Sequence, residues 1–452
     1  MTKDTSTNCK TSFDLDENDM PTTWYNIQPD LPTPLKPYLD PEGNPASPES
    51  LAAIFPPECI EQEIDSTHRD IDIPGPVLDI LRTYRPSPLR RARMFERALG
   101  LPENVHIFYK YEGVNASGSH KANTAIAQAY YNKKAGIKKI TTETGAGQWG
   151  SALSMAGSQL GIDVEVFMVN VSYQQKPYRK IFMETFGAKV HPSPTNLTEA
   201  GRKILAEHPD TSGSLGMAIS EAVEVAAKNP DTNYALGSVL NHVCLHQTII
   251  GQEAILQMEL AEEEPDVVIA CAGGGSNFAG IAFPYYRRRL EGKTKARLLA
   301  VEPKACPSLT AGEFKYDFGD PEMMTPQMEM YTLGNDFVPL GIHAGGLRYH
   351  GDSPLLCNLV HNGEVEAMAV FQKECFEAAL IFARAEALLP APESSHAIAA
   401  AVQEAKAAAA AGEAKTILFN LSGHGFLDLA AYEMFNKGEL VDYDFATDTV
   451  IK

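Results

Sequence analysis

No apolar stretch of this chain approaches the ~20 residues that a membrane-spanning helix needs, so a helical membrane protein is not expected. The opening Met1-Thr-Lys-Asp-Thr-Ser lacks the basic and apolar blocks of a signal peptide, which points to the cytoplasm. Basic charge is scarce: 38 Lys and Arg face 58 Asp and Glu, a net charge of −20. That balance argues against nucleic acid and anionic membranes as partners, although it leaves room for a local positive pocket. The seven cysteines include no Cys-x-x-Cys pair, so they read as buried free thiols rather than a disulfide framework. Twelve histidines show no metal-ligand spacing. His242 and His246 stand four apart without a third ligand, so no metal site is expected. There is no repeat of solenoid length. The glycine-rich segments carry no Gly-Lys-Ser/Thr, and Phe278 occupies the place of the sixth-position glycine of a dinucleotide fingerprint.

What remains is a 452-residue chain with 44% hydrophobic and 21% charged residues, enough for two or three compact units. Residues 1–60 read as an extended arm punctuated by Pro32, Pro34, Pro37, Pro41, Pro45 and Pro48, with disorder expected over the first twenty. Beyond it, strands and helices alternate. Val105–Tyr111 and Asp163–Val169 read as strands, as does Ala188–His191. Helices are expected over Lys121–Ala135 and over Lys176–Phe186, the latter closed by Gly187. This β-α-β-α rhythm predicts a parallel sheet. Arg297–Glu302 and Lys415–Asn420 read as strands of a second sheet. Between them an alanine-rich helix runs to Gly412, with Ser394 or Ser395 as its expected cap.

Three segments carry chemistry. Lys121 lies in Ser117-Gly118-Ser119-His120-Lys121-Ala122-Asn123, at an expected helix start. Positive helix-end charge and partial burial both favour the neutral amine that attacks an aldehyde. Small neighbours would let a flat ring lie against the backbone, so the lysine suits an imine with pyridoxal phosphate; the plain alternative is a solvated helix lysine. The second segment, Asp266 to Gly280, reads as strand, glycine turn and helix. Amides of Gly273, Gly274 and Gly275 can converge on an anion at the helix start, with Ser276 and Asn277 adding side-chain donors. An ordinary tight turn is the alternative. In the third, Thr144, Gly145, Ala146, Gly147 and Gln148 offer amides to a carboxylate, and Glu143 stands before them as an acid/base or as a strand-end glutamate.

Ser117-Gly118-Ser119-His120-Lys121, Glu143-Thr144-Gly145-Ala146-Gly147-Gln148, Gly273-Gly274-Gly275-Ser276-Asn277, Pro392-Glu393-Ser394-Ser395-His396-Ala397 and Leu421-Ser422-Gly423 occur in this order. The set resembles the tryptophan synthase beta chain over about residues 84–433. The N-terminal Trp24-Tyr25-Asn26-Ile27 and Asp30-Leu31-Pro32 are similar to the second type of that family. The resemblance implies an α/β, fold-type II pyridoxal-phosphate enzyme: two three-layer α/β domains with the cofactor between them. Residues 61–86 and 120–245 would form the N-terminal domain, including a mobile lid over about 136–228. Residues 87–119 and 246–452 would form the C-terminal domain.

The implied reaction is a β-replacement in which L-serine, or O-phospho-L-serine, and indole give L-tryptophan. Lys121 would hold the cofactor and then remove the α-proton, and Glu143 would serve the leaving hydroxyl and the indole proton. Gly273 to Asn277 with His120 would hold the phosphate, and Thr144 to Gln148 the substrate carboxylate. Ser422 would meet the ring nitrogen as a weak donor that disfavours racemisation, unless it is only a turn serine. Glu393 would line the ring or the indole pocket, unless it serves a helix start. A monovalent cation, a homodimer, and a weak or absent complex with an alpha chain are further expectations of the resemblance.

Two departures stand out. Arg348, in Gly346-Leu347-Arg348, replaces the aspartate that contacts the serine hydroxyl in the first type, and would favour a phosphorylated leaving group, unless it points outward or pairs with an acidic neighbour such as Asp352. Trp149 replaces a histidine after Gln148 and would reshape the loop. A related deaminase, a threonine-synthase-like lyase, and a cofactor-binding regulatory protein are the alternatives.

Overall fold

A computed structural model of the chain describes residues 10–47 and 51–451. Two sheets organise it. The larger has six strands, in the order Glu366–Val370, Arg297–Pro303, Val267–Cys271, Lys415–Leu421, Val105–Tyr111 and Leu89–Arg91. All neighbours run parallel except the Leu89–Arg91 edge. Val267–Cys271 is buried at every position, as a central parallel strand covered on both faces must be. The smaller sheet is wholly parallel, in the order Lys189–Ser193, Asp163–Val169, Lys139–Thr144 and Thr232–Tyr234.

The chain passes from one sheet to the other through the helix Ala122–Lys134. Lys121 is therefore the residue at the crossing, in the N-cap position of that helix. Glycine turns follow the carboxyl ends of two strands. Val267–Cys271 leads through Gly275, at φ +92°, into the helix Ser276–Leu290, and Lys139–Thr144 leads through Gly147, at φ +90°, into Gln148–Leu160. Ligand sites of open α/β sheets form at such strand ends.

The helix expected over Lys176–Phe186 is present as Pro177–Thr185, and a separate helix Asn170–Gln175 precedes it. Pro177 has no N–H to continue the first helix and is suited to begin the second. Neither Ser394 nor Ser395 caps the helix Ser394–Ala411, which Glu393 precedes in helical conformation. Ser395 Oγ instead donates to Ala391 O, and Ser394 Oγ meets Ser422 Oγ. From Lys10 onward the arm is folded rather than disordered. Phe13, Met20, Trp24 and Tyr25 are buried, and Thr23–Tyr25 pairs antiparallel with Asp70–Asp72. The expected disorder of residues 1–9 and the proline at 48 lie outside the described residues. His242 and His246 are held by protein groups: His242 Nδ1 by Glu63, and His246 by Thr124 and Gln62. Among the described residues no helix is long and apolar enough to cross a membrane.

Candidate active site

Lys121, Glu143, the glycine turn at 273–275, and Thr144, Gly145, Ala146 and Gln148 line two adjoining cavities. Lys121, Gln148, Ser238, Gly274 and Gly346 line both. The Lys121 amine donates to Gly237 O at 2.8 Å. Burial pushes it down to about 8, against the pull of Glu143 and Glu393 in the other direction. Glu143 is buried near the end of its strand and accepts the Tyr234 hydroxyl at 2.6 Å. Burial raises its carboxyl to about 8, outweighing Tyr234 and Lys121. Both groups therefore keep an accessible neutral form near neutral pH.

The smaller cavity is lined by His120, Gly273, Gly274, Gly275, Ser276, Asn277, Glu393 and Ser422 around Lys121. Among the described residues the amides of Gly273, Gly274 and Gly275 donate to nothing, while Ser276 N donates to Ser238 Oγ at 3.2 Å. Side chains would fill this cradle. A Cβ on Gly274 would lie 2.6 Å from Ser238 Oγ, and one on Gly273 would lie 2.4 Å from Gly346 O. Burial lowers His120 to about 3, so its ring is neutral, lying between Ser276 Oγ at 3.3 Å and Ser422 O at 3.4 Å. Asn277 lines this cavity too; its side-chain amide donates to Cys271 O and Sγ, and its oxygen accepts from Asn420. Ser422 is buried, with its hydroxyl against Ser394 at 2.7 Å.

At the other end, Thr144 Oγ1 accepts the Gly150 amide, which tightens the turn. The amides of Gly145, Ala146 and Gly147 have no acceptor among the described residues, and the helix beginning at Gln148 adds its positive end. Gln148 Nε2 donates to Glu393 Oε2 at 3.0 Å, and Glu393 Oε1 accepts Gly346 N at 2.9 Å. Glu393 thereby ties the anion loop to the segment across the cavity.

Arg348 is not brought to the site. It lines neither cavity; its Nη2 donates to Pro339 O at 2.9 Å. The expected pairing with Asp352 is absent as well, since Asp352 accepts from Ser308. Trp149 does reach the site. Its indole N–H donates to Thr142 Oγ1 at 2.6 Å, and a Cβ on Gly237 would lie 2.5 Å from its ring. Trp149 thus backs the glycine whose carbonyl holds the Lys121 amine.

Tyr234, Gly237, Ser238 and Tyr349 escaped the sequence reading. Only the Gly237-Ser238 turn pair after the Thr232–Tyr234 strand carried a local signal. Leu215, Ile219, Leu236, Val239 and Tyr349 give the larger cavity an apolar wall beside Glu143.

The anion cradle, the lysine beside it and the two-sheet fold define a pyridoxal-phosphate-dependent enzyme. A family model described as pyridoxal-phosphate dependent enzyme matches residues 80–423. Relatives called tryptophan synthase beta chain 2 are 58% identical in Methanosarcina mazei (95% of this chain, 97% of that one) and 58% identical in Aquifex aeolicus (95% and 99%). The chain belongs to the tryptophan synthase beta chain family, second type, and is a lyase of tryptophan biosynthesis that uses pyridoxal phosphate. Among solved structures, a threonine deaminase isoform from Solanum lycopersicum matches with TM-score 0.59 at 17% identity, covering 90% of this chain and 98% of that one. An L-serine ammonia-lyase from Rhizomucor miehei matches with TM-score 0.57 at 17% identity, covering 78% and 98%. These two share the fold.

Proposed function

We propose that the donor substrate is L-serine, that indole is the acceptor, and that Lys121 and Glu143 are the two proton-moving groups. The observation that carries this reading is the Glu143 carboxyl, raised to about 8 by burial at the cavity wall. A hydroxide is a poor leaving group and needs an acid, which a carboxyl protonated at neutral pH supplies. A phosphate leaving group has the opposite need, a cation. Lys121 is the one cationic side chain lining the two cavities among the described residues. Arg348, the residue expected to favour the phosphorylated donor, points elsewhere.

When bound, pyridoxal phosphate draws electrons from the amino-acid α-carbon. Gly273, Gly274 and Gly275, with Ser276, Asn277 and His120, would hold its phosphate, and Ser422 its ring nitrogen. Gly145, Ala146 and Gly147 would hold the substrate carboxylate through their amides, with Thr144 and Gln148 fixing the loop. Lys121 would take the α-proton. Glu143 would give its proton to the departing hydroxyl oxygen and later accept the proton from the indole ring. The apolar wall of Leu215, Ile219, Leu236 and Val239 suits a neutral bicyclic ring and excludes water from it.

A donor panel tests the choice. L-serine with indole should give tryptophan faster, in kcat/KM, than O-phospho-L-serine with indole, read by mass spectrometry. A clear preference for the phosphorylated donor would overturn the assignment. For the lysine, borohydride reduction of the holoenzyme followed by peptide mapping should place the reduced adduct on Lys121. An adduct on Lys110 or Lys176 would reject it.

The domain division belongs to the same proposal: 61–86 with 120–245, 87–119 with 246–452, and a lid over about 136–228. Buried ion pairs cross the proposed lid boundary. Lys176 Nζ meets Asp428 Oδ1 at 2.5 Å, and Arg179 Nη2 meets Asp428 Oδ2 at 3.2 Å. A cytoplasmic homodimer that works without a tightly bound alpha chain completes the reading. The six described cysteines are free and buried, as suits a reducing compartment.

A further inference from the structure

Ser422 does not face the cavity alone. Ser394, the first residue of the helix Ser394–Ala411, is fully buried behind it, with the two hydroxyl oxygens 2.7 Å apart. Ser394 Oγ also accepts the Gly423 amide at 3.2 Å and lies 3.3 Å from Gly423 O. Each hydroxyl has one hydrogen and can accept, so the pair has two complete arrangements. In the first, Ser394 donates to Ser422, whose own hydrogen is left for an acceptor in the cavity. In the second, Ser422 donates to Ser394, whose hydrogen turns to Gly423 O. Ser422 then offers a lone pair to a donor in the cavity. The Gly423 amide is satisfied in both.

We propose that Ser394 is a positioning residue: it lets Ser422 switch between donor and acceptor as the cofactor ring nitrogen loses or gains its proton. The proposal rests on the reading that Ser422 meets that nitrogen. A lone serine there could donate to the neutral nitrogen. Facing a protonated nitrogen, however, it would have to point its own hydrogen elsewhere. Among the described residues the other group near its oxygen is the Cys271 thiol at 3.9 Å, a weak acceptor. The carbonyl of Gly423, reached through Ser394, is the acceptor that completes the second arrangement. Both forms of the ring nitrogen then find a partner without movement of the backbone.

The test uses holoenzyme loaded with pyridoxal phosphate labelled with 15N in the ring, titrated by NMR. Ser394→Ala should remove the second arrangement and lower the proton affinity of the ring nitrogen roughly tenfold, the scale of one hydrogen bond to a charged group. Ser394→Thr, which keeps the hydroxyl, should restore it. Ser395→Ala, which removes a hydroxyl bonded within its own helix turn, should leave the titration unchanged. Ser422→Ala should shift the resonance of the neutral nitrogen itself. An unchanged titration in Ser394→Ala together with a shifted resonance in Ser422→Ala overturns the relay and leaves the Ser422 contact standing. An unchanged resonance in Ser422→Ala overturns both. If Ser394→Ala does not fold, Ser394→Cys decides in the same measurement, because a thiol of similar shape is a poor relay.

Discussion

Glu143→Ala is expected to bind pyridoxal phosphate normally and to lose tryptophan formation by ~10²-fold or more, the scale of a missing general acid/base. The carboxyl lies in the larger cavity, outside the phosphate cradle, so cofactor affinity should be spared. The loss should fall on kcat, because the group acts on the leaving hydroxyl rather than on the bound carboxylate. Its pH dependence follows from the same geometry. A carboxyl raised to about 8 is protonated below that pH, so the rate with serine should fall as pH rises through about 8. That limb should vanish in Glu143→Gln, which cannot change its charge. Tyr234→Phe removes the hydrogen bond that favours the ionised form, and should therefore move the limb to higher pH. Turnover by Glu143→Ala within a few-fold of the parent would reject the role.

Glu143 was legible in the sequence because it precedes a glycine-rich turn, and Lys121 because small residues surround it at a helix start. Local punctuation of this kind shows where backbone amides come free, and the two loops were found that way. The orientation of a side chain depends on partners far along the chain, which leave no local pattern. Tyr234 meets Glu143 across 91 residues and Gly237 meets Lys121 across 116. Asn277 was legible because it follows the glycine turn, but the bond its side-chain oxygen accepts from Asn420, 143 residues away, was not. Arg348 failed for a related reason. A departure from a family pattern marks a position, but the guanidinium was free to turn to the Pro339 carbonyl. The sheets were legible in part. Fully apolar strands such as Val267–Cys271 mark a parallel core, but hydrophobic pattern alone does not divide strands between two sheets, and the crossing after Tyr111 came from family likeness.

Glu253→Ala is expected to destabilise the fold by ~3–5 kcal/mol, the cost of leaving buried charge without its partner. Arg85, Lys110, Glu112 and Glu253 form a cluster in which no side chain is more than 1% exposed. Glu253 accepts Arg85 Nε and Nη2 at 2.8 Å each, Lys110 Nζ at 2.7 Å and the Ser87 amide at 3.0 Å. Two cations face two carboxylates, so removing Glu253 leaves an excess cation in the interior. Pairing Glu253→Gln with Lys110→Met removes one charge of each sign and should recover much of the loss in urea unfolding. Burial alone would raise Glu112, but Arg85 overcomes it and holds the carboxyl at about 2, below its ordinary 4.5. Its contribution to stability is therefore complete above about pH 4.5 and is lost as pH falls towards 2. The cluster also bears on catalysis. Arg85 Nη1 donates to Asn123 Oδ1 at 2.9 Å, two residues beyond Lys121 on the same helix start. Glu253→Ala should consequently weaken pyridoxal phosphate binding together with stability. A variant that melts within ~1 kcal/mol of the parent would show that water or a shifted side chain replaces Glu253, and the cluster would then be no support for Lys121.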